Sequence, residues 1–518
     1  MTKIVLTADR TLMSEFREIP NLGFLACASS NMMPEFLFKM VAKPIPNDRG
    51  RALKAPYGLR KVEAALLKDY KPEEVVVADP DYLENFIKED TKIVGVNVME
   101  AFGLGPLTML ATWHGGAPSF CTTFFTRLIK RIDSIRKSKN LKFRIVVGGS
   151  GAWQFEFQPF RVNELNIDHV IIGEVEHVIA QMFKELEENS QDYKPIIRVK
   201  GFPKVSEIPL IVNPSCHDLV EVMRGCGRNC EFCEPNLRAS RYYPYEAISE
   251  EIKLNIKHGG DKAWLQTEDI FLYSLEDRRN FLPNKDALKD LFRMAITIKG
   301  VNHSNATHGT VAPAAADPDL IRELSEIIRA GPDNWIGIQT GIETGSSFLI
   351  KKWMPLKCKP FSPEEWEDVV FEGTRVFNEN YWFPVYTMIT GLPGETEEDV
   401  WESIRLIDRM EKELPKLVGK EKTHFWIGVF PFIPIGVMRG EEAFDFNKRM
   451  TEARFLLFYR VYKHMIYELT NPHPGTLKGP WINLTYRLFG PIGSWMLSKF
   501  LKDFSKTYGY DLSKAENP

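Results

Sequence analysis

"MRGCGRNCEFCEPNLR", Met223–Arg238, places Cys226, Cys230 and Cys233 at the spacing C-x3-C-x2-C, with Phe232 before the last of them. Cys216 is the nearest other cysteine. Structural zinc takes four ligands, usually as two separated pairs. Three thiolates on one tight loop instead suit a [4Fe–4S] cluster that leaves one iron open for a further ligand. A zinc site completed by Cys216 and His217 is the alternative reading. Gly225 and Gly227 let the loop wrap closely, and Arg228 can offset a cluster's negative charge.

The loop ends a strand, "DLVEVMRGC", and the residues after it keep returning to the same alternation. Strand-like segments recur in "KAWLQTEDIF", "NHSNATHGT", "WIGIQTGIETG", "WFPVYTMITGLPGETEEDV" and "HFWIGVFPFIPIG", with helical stretches such as "DPDLIRELSEIIRAG" between them. Repeating βα units predict a parallel sheet long enough for a partial or full barrel. Before the loop, "KIVLTA", "EEVVVAD", "TKIVGVNV", "FRIVVGG" and "HVIIGE" alternate with helical periodicity. Continuous apolar strands of this kind belong to a doubly wound sheet covered on both faces. Such a sheet binds ligands beyond the carboxyl ends of its strands. Gly148, Gly149, Gly173 and Glu174 fall at such ends, where they fit either close ligand approach or tight βα turns.

Composition excludes some functions. With 44% hydrophobic residues, 26% charged and a net charge of −3, the chain is globular and carries no electrostatic footprint for nucleic acid. The opening "MTKIVLTADR" reads as a strand and lacks the charged-then-apolar pattern expected of a signal peptide. The uncharged stretch from Ala101 to Thr126 is broken by glycines and prolines, so it predicts loop and buried packing in place of a spanning helix. Seven cysteines, four of them scattered, make no disulfide framework and predict a reducing, cytoplasmic setting. Thirty-four Phe and eleven Trp are enough for large cores or an apolar cavity. The C-terminal region holds a stripe of Leu488, Ile492, Trp495, Met496, Phe500 and Phe504 flanked by Arg487, Lys499 and Lys502. Such a helix either packs on its own protein or makes peripheral contact with a membrane.

The cysteine spacing, with Phe232 and the position at a strand end, resembles the radical S-adenosylmethionine (SAM) enzymes. "WIGIQTGIETGSSF" resembles that family's Gly-x-Glu-Ser-Gly strand end, with Thr344 in place of the usual Ser, and "GLPGETEEDV" resembles the segment packing near the adenosyl group. The resemblance implies a [4Fe–4S] cluster on Cys226, Cys230 and Cys233, with SAM chelated to the open iron. Reductive cleavage then gives a 5′-deoxyadenosyl radical. It also implies SAM contacts from Phe232, Glu268, Gln339 and Glu343 and close approach at Gly391 and Gly394, with an electron donor such as a ferredoxin or flavodoxin.

The N-terminal half resembles the cobalamin-binding-type domain fused to one large radical SAM subgroup. Gly148, Gly149, Gly173 and Glu174 become its candidate contacts. The Asp-x-His-x-x-Gly motif of many corrinoid proteins is missing, and His114 stands alone, which leaves cobalamin an open expectation. The expected architecture is α/β: a Rossmann-like domain over 1–195, a linker over 196–215, a radical SAM (β/α)6 partial barrel over 216–438, and a helical, aromatic-rich region over 439–518. The ending "VFPFIPIGVMRG" departs from the family's Pro-x-x-Pro-Gly-Thr segment. The whole layout looks most like archaeal tetraether lipid (GDGT) ring synthases, which implies an apolar lipid substrate and cyclopentane formation. The alternative is a cobalamin-dependent C-methyltransferase. A non-catalytic corrinoid or cluster sensor is disfavoured by the retained "GLPGETEED", and a methylthiotransferase by the lack of a second cysteine trio.

Overall fold

The computed structural model describes residues 2–18, 20–112, 117–190, 192–472, 480–510 and 512; His114 lies outside them. The chain divides into two compact units, Met1–Val220 with Tyr243–Ala263, and Glu221–Tyr242 with Trp264–Pro518.

The first unit is built on a six-stranded sheet of β1 (Ile4–Ala8), β2 (Val75–Val77), β3 (Ile93–Asn97), β4 (Arg144–Gly148), β5 (His169–Ile172) and β6 (Ile196–Arg198). Their order is β2-β1-β3-β4-β5-β6, and every pairing is parallel. Successive side chains of a strand point to opposite faces, and the core divides accordingly. Val5, Val94, Val96, Ile145 and Val147 join one hydrophobic cluster with Phe125, Leu128, Ile129 and Ile132. Ile4, Leu6, Ile93 and Val146 join another with Leu59, Leu66, Met182 and Phe183. The helices involved are α2 (Tyr57–Leu66), α3 (Phe120–Ser138) and α4 (Ile179–Glu188), while a short α1 (Glu35–Val41) lies outside both clusters. Strand β6 falls in residues read from sequence as the start of the linker. It is partly exposed and only three residues long, too short for a periodic signal.

Helix α5 (Tyr245–Lys257) belongs to this first unit although it follows the cysteine loop. Glu251 fastens it. Its carboxylate accepts from Lys61 Nζ at 2.6 Å, Tyr57 Oη at 2.7 Å and Ile211 N at 2.9 Å. Both Lys61 and Glu251 are buried, and a buried pair is tolerable only with such added hydrogen bonds.

Apart from a two-residue antiparallel pair at Asn47–Asp48 and Arg51–Ala52, the strands outside this sheet among the described residues are β7 (Leu219–Glu221), the short antiparallel pair β8 (Met223–Arg224) and β9 (Arg241–Tyr242), then β10 (Lys262–Gln266), β11 (His303–Ala306), β12 (Ile336–Glu343), β13 (Trp382–Thr390) and β14 (Trp426–Pro431). They form sheets ordered β11-β10-β7 and β12-β13-β14, the second parallel throughout. A parallel bridge between His308 and Gln339 joins the two, so the strands follow chain order. Helix α6 (Trp366–Glu379) precedes β13, and α7 (Glu397–Val418) starts at Thr396, whose hydroxyl and Asp399 cap each other.

Helix α8 (Glu452–Thr470) packs against α9 (Pro480–Tyr508) through aromatic rings: Phe455 on Phe504 at 5.3 Å and Tyr462 on Phe500 at 5.0 Å. Phe504 of the C-terminal stripe is therefore core, whereas Trp495 is exposed. The side chains of Leu488, Ile492 and Met496 lie outside the described residues. No described helix is long and apolar enough to cross a membrane.

Candidate active site around the cysteine loop

The cysteine loop opens from β8 and closes into β9, with Met223 opposite Tyr242 and Arg224 opposite Arg241. Gly225 has φ +77°, and a Cβ there would lie 2.6 Å from the Arg238 carbonyl oxygen. Only glycine lets the two legs of the loop approach this closely. Cys233 N donates to Cys230 O at 3.0 Å, which turns the C-x2-C segment back on itself. The turn is fixed from outside as well: Glu231 N donates to Trp353 O at 3.1 Å, Val437 N to Glu231 O at 2.8 Å, and Arg439 pairs with Glu234 at 2.9 Å. Cys230 is buried, and Cys226 and Cys233 are partly exposed.

Arg228, between the first two cysteines, is fully buried. Its Nε donates to Asp269 Oδ2 at 2.7 Å and its Nη1 to Leu356 O at 3.2 Å, and the guanidinium lies 5.2 Å over the Phe281 ring. Asp269 is itself saturated, accepting from Phe271 N at 3.2 Å, Thr310 N at 3.1 Å and Thr310 Oγ1 at 2.5 Å. Arg228 Nη2 has no hydrogen-bond partner among the described residues.

Burial, then the Asp269 carboxylate, pushes the Cys226 thiol up to about 12 against the pull of Arg228; burial and the neighbouring cysteines also push Cys233 up, against the pull of Lys357. Three desolvated thiols held this way need a cation to become thiolates. No described group of His, Cys, Asp or Glu is set to hold a single metal ion; a cluster's ligands stand farther apart. The donor set and the unpaired Arg228 nitrogen fit an anionic thiolate-bound cluster.

Glu268 lies beside the loop, accepting from Gly225 N. Burial, then the charge of Glu221, raises its carboxyl to about 7. Arg238 lies 3.8 Å from Oε1, and Oε2 is buried without a partner among the described residues. It fits a ligand that donates hydrogen bonds.

Glu343 ends β12 at a bulge, with φ +66°. Its Oε1 accepts from Lys357 Nζ at 2.9 Å and its Oε2 from Thr387 Oγ1 at 3.4 Å. Burial works against the Lys357 charge, but Glu343, Cys230 and Cys233 outweigh it and hold the ammonium above the ordinary lysine value. Lys357 thus ties Glu343 electrostatically to the cysteine trio, and no sequence pattern marked it. Only its contacts identify it.

The other sequence-selected residues are placed as follows. Phe232 is partly buried in the loop. Gln339 is exposed on β12 and hydrogen-bonds His308, whose imidazole burial pushes below its ordinary value. Gly391 has φ +87°, and a Cβ there would lie 2.2 Å from the Phe444 ring. Its N–H donates to Glu395 at 2.8 Å, and Glu395 pairs with buried Arg454 at 2.8 Å. The space beside Gly394 holds Lys352 Nζ. Cys226, Cys230, Cys233, Phe232, Glu268 and Glu343 are thus grouped, whereas Gln339 meets His308, Gly391 meets Phe444 and Glu395, and Gly394 meets Lys352.

In the first unit, Gly148 ends β4 and Gly149 follows it, while Gly173 and Glu174 follow β5, its neighbour in the sheet. The conformational freedom at Gly149 is used by the chain itself, since a Cβ would meet Asn97 Oδ1 at 2.1 Å and Val98 O at 2.6 Å.

Residues 220–407 match the model of the radical SAM superfamily. This stretch is a radical SAM domain. Such a domain implies a [4Fe–4S] cluster and SAM as cofactors, and the cysteine loop lies inside it. Curated relatives include the probable threonylcarbamoyladenosine tRNA methylthiotransferase of Pyrococcus horikoshii, 24% identical over 40% of this chain and 45% of that protein. Another is the tRNA-2-methylthio-N(6)-dimethylallyladenosine synthase of Colwellia psychrerythraea, 25% identical over 55% of this chain and 57% of that one. The chain spans about half the length of these relatives.

Among solved structures, the fold is similar to the radical SAM methyltransferase TsrM of Kitasatospora setae, with TM-score 0.53 and 15% identity over 84% of this chain and 75% of that one. TsrM has been solved with a tryptophan substrate and a SAM analogue, and with cobalamin and a [4Fe–4S] cluster. The likeness extends well beyond the radical SAM domain.

Proposed function

We propose that this protein is a radical SAM enzyme that removes hydrogen from an unactivated carbon of an apolar substrate. The observation carrying this reading is the loop of three cysteines, glycine-closed and backed by buried Arg228, inside the radical SAM domain. When bound, the reduced cluster and SAM supply a 5′-deoxyadenosyl radical that takes a hydrogen atom and leaves a substrate radical. Cys226, Cys230 and Cys233 would hold the cluster, and Arg228 and Lys357 would offset its charge. Glu268 Oε2 would accept from the amino or hydroxyl groups of SAM, and Phe232 would pack beside it. The six strands in chain order support a partial barrel as the frame.

For the outcome we favour carbon–carbon bond formation, in which two carbon–hydrogen bonds would break, one to each of two SAM-derived radicals, and one carbon–carbon bond would close a cyclopentane ring in the isoprenoid chains of archaeal tetraether lipids; a ferredoxin- or flavodoxin-like protein would supply one electron per SAM. The aromatic C-terminal helices and the altered "VFPFIPIG" ending support an apolar substrate; peripheral membrane contact of that region belongs to the same reading. A second reading, cobalamin-dependent C-methylation, is favoured by the likeness to TsrM and by the parallel sheet of the first unit. There cobalamin would lie beyond the strand ends near Gly148, Gly149, Gly173 and Glu174. Deleting the gene and profiling host lipids by mass separates them. Ring closure predicts products that each lack two hydrogens and disappear on deletion; methylation predicts lost methyl groups. An unchanged lipid profile removes the lipid substrate.

A further inference from the structure

The first unit carries a small hydrophobic cluster apart from its two sheet faces, made of Phe16, Ala26, Phe38, Ala42, Phe120 and Cys121. Phe38 stacks on Phe120 at 4.1 Å and on Phe124 at 5.6 Å. A backbone bridge joins Ser29 to Ser119, and Arg17 Nε donates to Met40 O at 2.8 Å. These contacts fasten the segment containing α1 onto the start of α3 by its inner face.

The outer face has no such cover. Phe24, Met32, Phe36, Leu37 and Met40 are all exposed, Phe36 by 64% and Met40 by 55%. Single exposed apolar side chains are ordinary, but Phe36, Leu37 and Met40 share one face of α1 by helical spacing, and grouped exposure of this kind marks an interaction surface. Its charge identifies the partner. From Arg17 to Pro44 the sequence holds the cations Arg17, Lys39 and Lys43 against the carboxylates Glu18 and Glu35, and Glu35 is paired with Lys39 at 2.8 Å and with Arg127 at 2.5 Å. Arg17, Lys39, Lys43 and Arg127 are exposed around the apolar side chains. A chain with a net charge of −3 therefore presents a locally cationic, aromatic- and methionine-rich projection. Aromatic and aliphatic side chains that enter the acyl boundary, rimmed by Lys and Arg at headgroup level, are what binds an interface. Basic residues beside them add attraction to anionic lipid.

We propose that the face formed by Phe24, Met32, Phe36, Leu37 and Met40 docks the protein onto an anionic bilayer surface. Helix α1 has seven residues, far short of a span, so the contact is interfacial. This surface is independent of the radical SAM chemistry and does not require a lipid substrate.

The test is cosedimentation of the full-length protein with vesicles of phosphatidylglycerol and phosphatidylcholine, and with phosphatidylcholine alone. The wild type should bind the anionic vesicles in a salt-sensitive manner and the neutral ones about tenfold or more weakly. Phe36→Glu/Met40→Glu should weaken binding about tenfold or more, with thermal melting and iron content unchanged. Lys39→Gln/Lys43→Gln should weaken the preference for anionic lipid, with Arg17 and Arg127 retained, while leaving the residual neutral binding intact. No binding by the wild type, or undiminished binding by the glutamate variant, overturns the proposal; the latter assigns the contact elsewhere, as to the C-terminal helix. A self-association that the glutamate variant abolishes, without vesicle binding, assigns the face to a second copy of the chain and overturns it equally.

Discussion

Asp269→Asn keeps the shape of the side chain buried against Arg228 and removes only its charge. Arg228 is fully buried, its Nε is 2.7 Å from Asp269 Oδ2, and Nη2 has no partner among the described residues. The variant leaves an uncompensated guanidinium in a desolvated site, and breaking a buried pair on one side costs about 3–5 kcal/mol. At about 2–4 °C per kcal/mol for a unit of this size, the apoprotein's melting temperature should fall by roughly 6–20 °C. Because Arg228 sits between Cys226 and Cys230, the same loss should loosen the loop and lower iron and sulfide per chain after anaerobic reconstitution. Differential scanning fluorimetry and iron analysis of the two proteins, prepared side by side, provide the measurement. A variant that melts within about 2 °C of the wild type and takes up iron equally would refute the argument that this pair shapes the loop.

Lys357→Met should destabilise the apoprotein by a similar about 3–5 kcal/mol, because it strands Glu343 as a buried carboxylate, and adding Glu343→Gln should recover most of that in urea titrations. Asp9, at the end of β1, is raised by burial from 3.8 to about 6. The fold therefore holds this proton more tightly than the unfolded chain. Its contribution, on the order of 3 kcal/mol, is complete below about pH 4 and lost as pH rises through about 6; Asp9→Asn should flatten the stability profile across that window. Cys27, partly exposed and lowered by a hydrogen bond from Cys121, should be alkylated by iodoacetamide ahead of buried Cys216 and Cys358, whose thiols burial raises. Peptide mass mapping of a time course checks the order.

The parts legible in the sequence were those carried by local pattern. Strand-like segments interleaved with helical periodicity announce β1 to β5 and β10 to β14, and the cysteine spacing announces the loop, since both depend on neighbours a few residues apart. What escaped depends on distant partners. Arg228 could be read as a counter-charge, but not that Asp269 and Thr310 would immobilise it. Glu343 could be read as a polar strand end, but nothing local indicated the bulge at φ +66° or the lysine fourteen positions on that occupies its oxygen. Gly391 looked like room for a ligand because a glycine's missing side chain does not say what fills the gap. Here Phe444 does. The membership of α5 in the first unit rests on Glu251 meeting Lys61, 190 residues earlier, a pairing no periodicity encodes.

The central claim is that the loop holds a cluster used to cleave SAM. Anaerobic reconstitution with iron and sulfide, followed by SAM and a strong reductant, tests it by chromatographic measurement of 5′-deoxyadenosine. The wild type should form this nucleoside, and Cys226→Ala/Cys230→Ala/Cys233→Ala should form none above background while still folding. No 5′-deoxyadenosine from a wild type with full iron content, or equal amounts from the triple variant, would contradict the account.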